Sequence, residues 1–111
     1  VDAGMNDLLR PALYEAHHEI APVVPRKGKK ATVDVVGPVC ESSDVLGHAR
    51  SMTPLAQGDL LAVLTAGAYG MSMSSSYNSR PRPPEVLVDG ETFRVVRVRE
   101  TVTDLMRGET P

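Results

Sequence analysis

The chain has 111 residues, of which 41% are apolar and 23% are charged. This length allows one packed core, because two domains of about 55 residues each would lie near the lower limit of stability. No apolar run approaches the ~18 residues that a membrane-spanning helix needs, and a net charge of -2 gives no general attraction to nucleic acid or anionic lipid. Cys40 is the single cysteine, which excludes a disulfide-stapled secreted scaffold. We therefore expect one globular domain that binds neither membranes nor nucleic acid.

The lysines and the first residue also constrain the interpretation. Lys27, Lys29 and Lys30 are the only lysines, and they share a polar run with Arg26. No lysine elsewhere is available as a buried catalytic amine. The run is typical of a charged hairpin loop, with contact to phosphate as the alternative. The chain opens with Val1 and no targeting pattern, so we expect a cut end rather than a natural start.

The first third of the chain predicts one short helix and two strands. Asn6 or Asp7 can cap the helix, and Pro11 limits it to one or two turns. Residues 18–25 alternate weakly and predict a strand, and residues 31–36 predict a second one. We expect these two strands to pair as a hairpin across the basic loop.

The remainder of the chain predicts further strands and a second short helix. Small polar residues over 40–50 predict a loop, and the apolar run 60–66 predicts a strand buried on both faces. The Asp89-Gly90 pair predicts a hairpin with a type I′ turn. Residues 101–108 have a Thr-x-x-Asp start and a glycine end, which predicts one or two helical turns. The chain is thus expected to be all-β, an antiparallel, Greek-key-like β-barrel or sandwich with short helical turns.

Cys40 is the first candidate for chemistry, because it follows a strand and precedes an acid and two serines. A thiol at such a boundary can act as a proton donor or nucleophile. The alternative is a small buried apolar side chain. His17, His18 and His48 have no spacing that indicates a Cys-His pair or a metal site.

Charged and aromatic side chains supply further candidates. Arg10, Glu41 and Asp44 could recognise the two ends of a zwitterionic small molecule, since arginine matches a carboxylate and a carboxylate pairs with an ammonium group. Taken singly, each such residue is more often a solvated surface charge. Tyr69 lies between Ala68 and Gly70, whose small size could expose the ring to a ligand; the alternative is a core tyrosine.

Four segments resemble, in order, the C-terminal portion of the bacterial diaminopimelate decarboxylases. They are residues 1–14 (VDAGMNDLLRPALY), 37–44 (GPVCESSD), 67–70 (GAYG) and 76–80 (SYNSR). The family consists of fold-type III pyridoxal-phosphate enzymes, cytoplasmic homodimers that join a (β/α)8 barrel to a C-terminal β-barrel. The resemblance implies that residues 1–8 end the absent (β/α)8 barrel and its linker. Residues 9–111 would then be the β-barrel domain that binds substrate and contributes to the dimer interface.

The resemblance also implies a role for each candidate in converting meso-2,6-diaminopimelate to L-lysine and carbon dioxide. The pyridoxal 5'-phosphate ring would act as the electron sink, and Cys40 would donate the proton from the neighbouring subunit. Glu41 would pair with the distal ammonium group of the substrate. Arg10 would pair with its distal carboxylate, with Tyr14 beside it on the same helical face. Tyr69 would contact both substrate and cofactor.

The chain departs from a complete enzyme of this kind. It lacks a suitable lysine and a phosphate-cradling glycine motif, so we expect residues 1–111 to be inactive alone. Ornithine and arginine decarboxylases are the nearest alternative, but they resemble Cys-Asp where this chain has Cys40-Glu41, and alanine racemases use a tyrosine as the acid. A non-catalytic β-barrel module that binds a partner through residues 26–30 is the alternative of a different class.

Overall fold

The computed structural model describes residues 1–110, so Pro111, the last residue of the predicted domain, lies outside the described residues. Within residues 1–110, two short helices, six strands and two single 3-10 turns follow one another. They are α1 (Arg10–Tyr14), β1 (Ile20–Pro22), β2 (Ala31–Val36), β3 (Val45–Met52), β4 (Leu61–Val63), the turns Met71–Met73 and Tyr77–Ser79, β5 (Glu85–Asp89), β6 (Thr92–Arg97) and α2 (Val102–Leu105). Neither helix in the described part of the chain has the length and apolar character needed to cross a bilayer.

The strands form three antiparallel pairs: β1 with β4, β2 with β3, and β5 with β6. The first two pairs enclose the buried core, to which the segment before α1 adds one leucine. The core consists of Leu8, Ile20, Val35, Leu46 and Met52. Apart from Leu8, these side chains come from both strand pairs, so the two pairs pack against each other at the core. The predicted all-β, antiparallel class with short helical turns is confirmed.

The predicted hairpin between β1 and β2 is wrong. Ile20 of β1 lies opposite Val63 of β4, and Ala31 of β2 lies opposite Met52 of β3. Strand β3 is longer than β2, so it can pair with β2 from Ala31 to Val36. This pairing directs Leu46 and Met52 of β3 into the core. The strand predicted over 60–66 covers only 61–63 and is half-buried rather than buried on both faces.

The loop predicted over residues 40–50 ends at Asp44, because β3 begins at Val45. The strand was not predicted, because the small polar residues of this segment are typical of a loop. Its alternation is also broken, since Leu46 and Gly47 are both buried and Ala49 has a φ of 50°. Such a bulge shifts the ladder register and removes the period of two on which strand prediction depends.

Helix α1 has the predicted length but a different start. Neither Asn6 nor Asp7 caps it; the residue before the helix is Leu9, whose side chain makes no cap. Pro11 lies in the first turn, where the missing N–H has no helical partner to lose. The Asp7 carboxylate instead accepts the Gly4 N–H at 2.9 Å, in the turn that precedes the helix.

The C-terminal part follows its local sequence signals. The Asp89-Gly90 hairpin is confirmed as β5 and β6. Positive φ occurs at Gly90 and not at Glu91, which fits a type II′ turn and corrects the predicted type I′ turn. The predicted capping box at the start of α2 is confirmed between Thr101 and Asp104.

Candidate functional site

The loop between β2 and β3 presents Cys40 and Glu41 to solvent. Both side chains are exposed, whereas Val39 and Asp44 on either side of them are buried. The Glu41 N–H donates to the Val39 carbonyl at 2.8 Å, and the Asp44 N–H donates to the Glu41 carbonyl at 3.0 Å. These bonds make a tight turn. Its ends, Val39 and Asp44, are buried, and its middle, with Cys40 and Glu41, projects outward.

Tyr77 approaches this loop from the C-terminal half of the chain. Its hydroxyl donates a hydrogen bond to Glu41 Oε2 at 3.2 Å. The bond and the charge of Glu41 raise the pKa of Tyr77 above its usual value of 10.0, because losing the proton would place two negative charges side by side. Tyr77 was not predicted as a site residue from the sequence. Its position in the 76–80 motif is the signal that could have identified it.

The segment that carries Tyr77 is held by the turn at residues 4–7. The Ser75 N–H donates to the Asn6 carbonyl at 2.9 Å. Arg80 donates through Nε to Asn6 Oδ1 at 3.1 Å and through its terminal nitrogen to the Asp2 carbonyl at 2.6 Å. Asn6 is buried, so its hydrogen bonds hold residues 75–80 firmly against the start of the chain.

Arg10 and Tyr69 form a second contact. The guanidinium carbon of Arg10 lies 5.5 Å from the centre of the Tyr69 ring, a cation-π arrangement. Gly70 permits the turn after Tyr69, because a Cβ there would overlap the Ala66 carbonyl oxygen. Tyr14 lies at the other end of α1 with its side chain exposed. The two residues predicted to share one helix, Arg10 and Tyr14, therefore do so.

A cleft of about 430 Å³ separates α1 from the loop that carries Cys40. Pro11, Ala12 and Glu15 line one side, and Ser42 and Ser43 line the other. Arg10, Tyr69, Cys40 and Glu41 are not among the residues that line this cleft. Arg10 lies on α1 and contacts Tyr69, whereas Cys40 and Glu41 lie next to Ser42 on the loop. The two pairs thus lie on the two elements that border the cleft.

Asp44 has a different role from the predicted one. It is 3% exposed, and both of its carboxylate oxygens accept backbone N–H groups, from Met5 at 2.6 Å and from Val39 at 2.7 Å. A buried carboxylate with these partners is not available to a ligand. The prediction that Asp44 recognises one end of a zwitterion is therefore wrong, and the burial of this side chain is the reason.

The histidines and acidic residues form no recognisable metal centre in the part of the chain that the structure describes. His18 is buried and its Nδ1 lies 3.2 Å from the Leu64 carbonyl. His48 lies beside Asp34 on the exposed side of the β2–β3 pair. Both side chains thus contact residues other than Cys40.

Comparison with known proteins identifies the family. Residues 1–67 match the model of the pyridoxal-dependent decarboxylase C-terminal sheet domain. The chain is 56% identical to the diaminopimelate decarboxylase of Vibrio cholerae over 105 residues, which are 95% of this chain and 25% of that protein. It is also 56% identical to the diaminopimelate decarboxylase of Pseudomonas aeruginosa, over 99% of this chain and 26% of that protein. The chain thus spans about a quarter of the length of the curated relatives that it matches.

Solved structures agree with this match. The structure of diaminopimelate decarboxylase from Helicobacter pylori in complex with L-lysine superposes with a TM-score of 0.90 at 48% identity, over 96% of this chain and 26% of that one. A structure from Aquifex aeolicus, AQ1208, superposes with a TM-score of 0.92 at 48% identity, over 95% of this chain and 26% of that one. The resemblance found in the sequence is confirmed. Because the family model covers more than half of its residues, this chain belongs to the family of pyridoxal-dependent decarboxylase C-terminal sheet domains.

Proposed function

We propose that the chain is the C-terminal domain of a diaminopimelate decarboxylase, which converts meso-2,6-diaminopimelate to L-lysine and carbon dioxide in the cytoplasm. The observation that carries the proposal is the presence of opposite charges on the two elements that border one cleft, helix α1 and the loop between β2 and β3. Glu41 is exposed beside Cys40 on the loop, and Arg10, on the helix, lies against Tyr69. The identity of 56% to relatives with this name supports the same function.

The substrate is a chain with an amino group and a carboxylate at each end. We assign Glu41 to its distal ammonium group, since a carboxylate is the natural partner of an ammonium ion. We assign Arg10 to its distal carboxylate, which a guanidinium group can bind through two parallel hydrogen bonds. Tyr14 would lie beside Arg10. Tyr69, whose ring is exposed, would contact both substrate and cofactor.

The side chains present fit one edge of a pyridoxal-phosphate site rather than a whole one. Cys40 and Glu41 follow the end of β2 at Val36, whereas all three lysines precede its other end at Ala31. The five residue steps of this strand correspond to roughly 16 Å. The lysine that binds the cofactor would therefore come from polypeptide outside residues 1–111, and the isolated chain is expected to be inactive.

When bound, the cofactor supplies an electron sink for the charge that remains on carbon after carbon dioxide leaves. Cys40 then has one task. Its thiol gives a proton to that carbon, so that an S–H bond breaks and a C–H bond forms, and water returns the proton to sulfur. The exposed position of Cys40 suits donation to a site completed by the neighbouring subunit of a homodimer.

The proposed function also implies a domain boundary after residue 8. Residues 1–8 would connect a preceding (β/α)8 barrel to the domain formed by residues 9–111. In the structure Leu8 packs into the sheet core, and the turn at 4–7 holds the Cys40 loop. Such a linker would fix the orientation of the site relative to the barrel.

The β5–β6 hairpin supports contact with further polypeptide. Val86 and Val95 face each other across the two strands, as do Val88 and Phe93, and all four side chains are exposed. A two-stranded hairpin with an apolar face is marginally stable in water by itself. The three-quarters of the relatives that this chain does not match could cover that face.

The alternatives fit less well. A simple diamino acid such as ornithine has no distal carboxylate for Arg10. In a binding module that uses residues 26–30, one of the four cations, Arg26, is already paired with Asp59 at 2.6 Å. Neither alternative uses the Cys40-Glu41 pair together with Arg10.

The test uses a chimera in which this chain replaces the matching quarter of the Vibrio cholerae relative. We expect the chimera to release carbon dioxide from meso-diaminopimelate and to prefer it over ornithine and arginine. Glu41→Gln should raise the KM for diaminopimelate. A folded chimera that contains pyridoxal phosphate and prefers ornithine would overturn the proposal, as would unchanged use of diaminopimelate by Glu41→Gln.

A further inference from the structure

We propose that Asp44 is a positioning residue, whose buried carboxylate fixes the direction in which Cys40 and Glu41 project. This inference rests on the proposed function for the roles of those two side chains. The fold itself shows the contacts on which the inference depends, and they involve backbone groups on both sides of the loop.

The Asp44 carboxylate joins two segments that are far apart in sequence. Oδ2 accepts the Val39 N–H at 2.7 Å, immediately before Cys40, and Oδ1 accepts the Met5 N–H at 2.6 Å, 39 positions away. The backbone of Asp44 closes the base of the loop as well, because its carbonyl accepts the Gly37 N–H at 2.9 Å. Hydrogen bonds from N–H groups to an ionised carboxylate are shorter and stronger than those between neutral groups.

Two glycines lie against the Asp44 carboxylate. A Cβ at Gly37 would overlap the carboxylate, and a Cβ at Gly4 would lie 3.2 Å from Oδ1. The two glycines therefore leave space that the Asp44 side chain fills. The position requires a side chain with two acceptor oxygens, because an asparagine in its place would turn a donating NH2 group toward one of the two N–H groups.

The rest of the loop is tied weakly to the fold. Besides the bond from Tyr77 to Glu41, the side chains of residues 40–43 contribute a hydrogen bond from Ser43 Oγ to the Met5 sulfur at 3.8 Å. The exposed thiol of Cys40 has no hydrogen-bond partner among the described residues. Its direction is therefore determined by the backbone turn that Asp44 closes.

Asp44 also holds the loop in register with Tyr77. The turn at 4–7 that donates to Asp44 through Met5 also binds Ser75 and Arg80 through Asn6. Tyr77 lies between Ser75 and Arg80 and donates to Glu41. If Asp44 releases Met5, both the Cys40 backbone and the partner of Glu41 lose their common support.

The experiment compares Asp44→Asn and Gly37→Ala in the chimera defined above. Gly37→Ala keeps the carboxylate but displaces it, and Gly37 has no positive φ that would add backbone strain. The matched control is Asp34→Asn, because the exposed Asp34 also accepts a backbone N–H, from Ala49 at 2.8 Å, but lies in β2 outside the loop. The measurements are kcat, KM, thermal stability, and the rate at which iodoacetamide alkylates Cys40, followed by peptide mass spectrometry.

We expect both loop variants to lower kcat by about 10- to 100-fold, since a misplacement of about 1 Å in an active site can have this effect. The absorbance of bound pyridoxal phosphate should be unchanged. The alkylation rate of Cys40 should change several-fold even without substrate or cofactor, whereas Asp34→Asn should leave both quantities within twofold. Should Asp44→Asn fail to fold, Gly37→Ala decides the outcome.

A merely structural role predicts a different result. Lower thermal stability with unchanged kcat and unchanged Cys40 alkylation, measured below the unfolding transition, would overturn the proposal. The alkylation measurement separates this inference from the proposed function. If the parent chimera does not act on diaminopimelate, the function is wrong, yet the alkylation rates still test whether Asp44 orients the loop.

Discussion

The Tyr77 hydroxyl donates a hydrogen bond to Glu41 Oε2 at 3.2 Å, across 36 positions of sequence. Glu41 thereby has one fixed partner, and its other carboxylate oxygen has no side-chain partner among residues 1–110. That oxygen remains available for an ammonium group. Because the bond and the charge of Glu41 raise the pKa of Tyr77 above its usual value of 10.0, the hydroxyl keeps its proton at neutral pH and the bond persists there.

Removing the Tyr77 hydroxyl should therefore weaken substrate binding. We expect Tyr77→Phe in the chimera to raise the KM for diaminopimelate by about 2- to 10-fold, the usual effect of losing one hydrogen bond. The value of kcat should change little, because the reacting carbon is remote from the distal ammonium group. Ser72→Ala, which removes an exposed hydroxyl bonded to the Ala68 carbonyl, is the control. Equal kinetics for Tyr77→Phe and the parent would contradict the assignment.

Arg10 is expected to bind the substrate through its charge and its planar shape. We predict that Arg10→Gln raises the KM for diaminopimelate by about 10- to 100-fold, as expected for the loss of charged hydrogen bonds. Arg10→Lys should lie between this variant and the parent, because it keeps the charge and loses the fork geometry. Arg107→Gln, an exposed arginine paired with Asp104, should have no effect on KM. If Arg10→Gln binds diaminopimelate normally, the distal carboxylate has another partner.

Stability should fall in acid because several carboxyl groups have lowered pKa values in the folded state. The cause is chiefly a backbone N–H for the aspartates and the Arg82 guanidinium for Glu100. These groups are Asp34, Asp59, Asp104 and Glu100. Their stabilisation is fully present above the ordinary values of 3.8 and 4.5, and it is lost as pH falls through the lowered folded-state values.

Thermal unfolding of the chimera as a function of pH tests this expectation. The Tm should be nearly constant between about pH 6 and 8 and should decline below about pH 4.5. Glu100→Gln should reduce the size of the decline and lower Tm at neutral pH, since it removes the ion pair with Arg82. Glu91→Gln, at the hairpin turn, serves as the control. A Tm that is independent of pH down to pH 3 would show that these contacts add nothing.

The apolar face of the β5–β6 hairpin gives a prediction about assembly. Phe93 is 76% exposed and Val88 is 68% exposed. Replacing both by serine should reduce self-association and dye binding of the isolated chain in light scattering and fluorescence measurements. In the chimera the same change should lower Tm, because there the face is expected to be covered. Serine substitutions at the exposed Val23 and Val24 provide a control. Unchanged Tm in the chimera would indicate that the face remains exposed.

Short sequence motifs correctly predicted those elements whose hydrogen bonds join residues only a few positions apart. The Asp89-Gly90 pair and the Thr101-Asp104 capping box act within a few residues, and both form as expected. Strand β3 escaped prediction because its bulge at Ala49 breaks the alternation. The pairing of β1 with β4 depends on contacts about 40 residues apart, which a pattern of nearby residues does not encode.

In the candidate site, too, the short-range features were predicted from the sequence and the long-range contacts were not. The motif that contains Cys40 and Glu41 identified the exposed residues of the loop, and the spacing of Arg10 and Tyr14 identified their shared helix. The burial of Asp44 was not predictable from the sequence, because it results from the return of residues 4–7 to the loop. Tyr77 reaches Glu41 for the same long-range reason.

Carbon dioxide release from meso-diaminopimelate by the chimera is the most direct test of the central claim, compared between the parent and Cys40→Ala. We predict turnover by the parent, a loss of at least about 100-fold for Cys40→Ala with cofactor binding retained, and no turnover by residues 1–111 alone. Full activity of a folded Cys40→Ala chimera, or turnover by the isolated chain, would contradict the account.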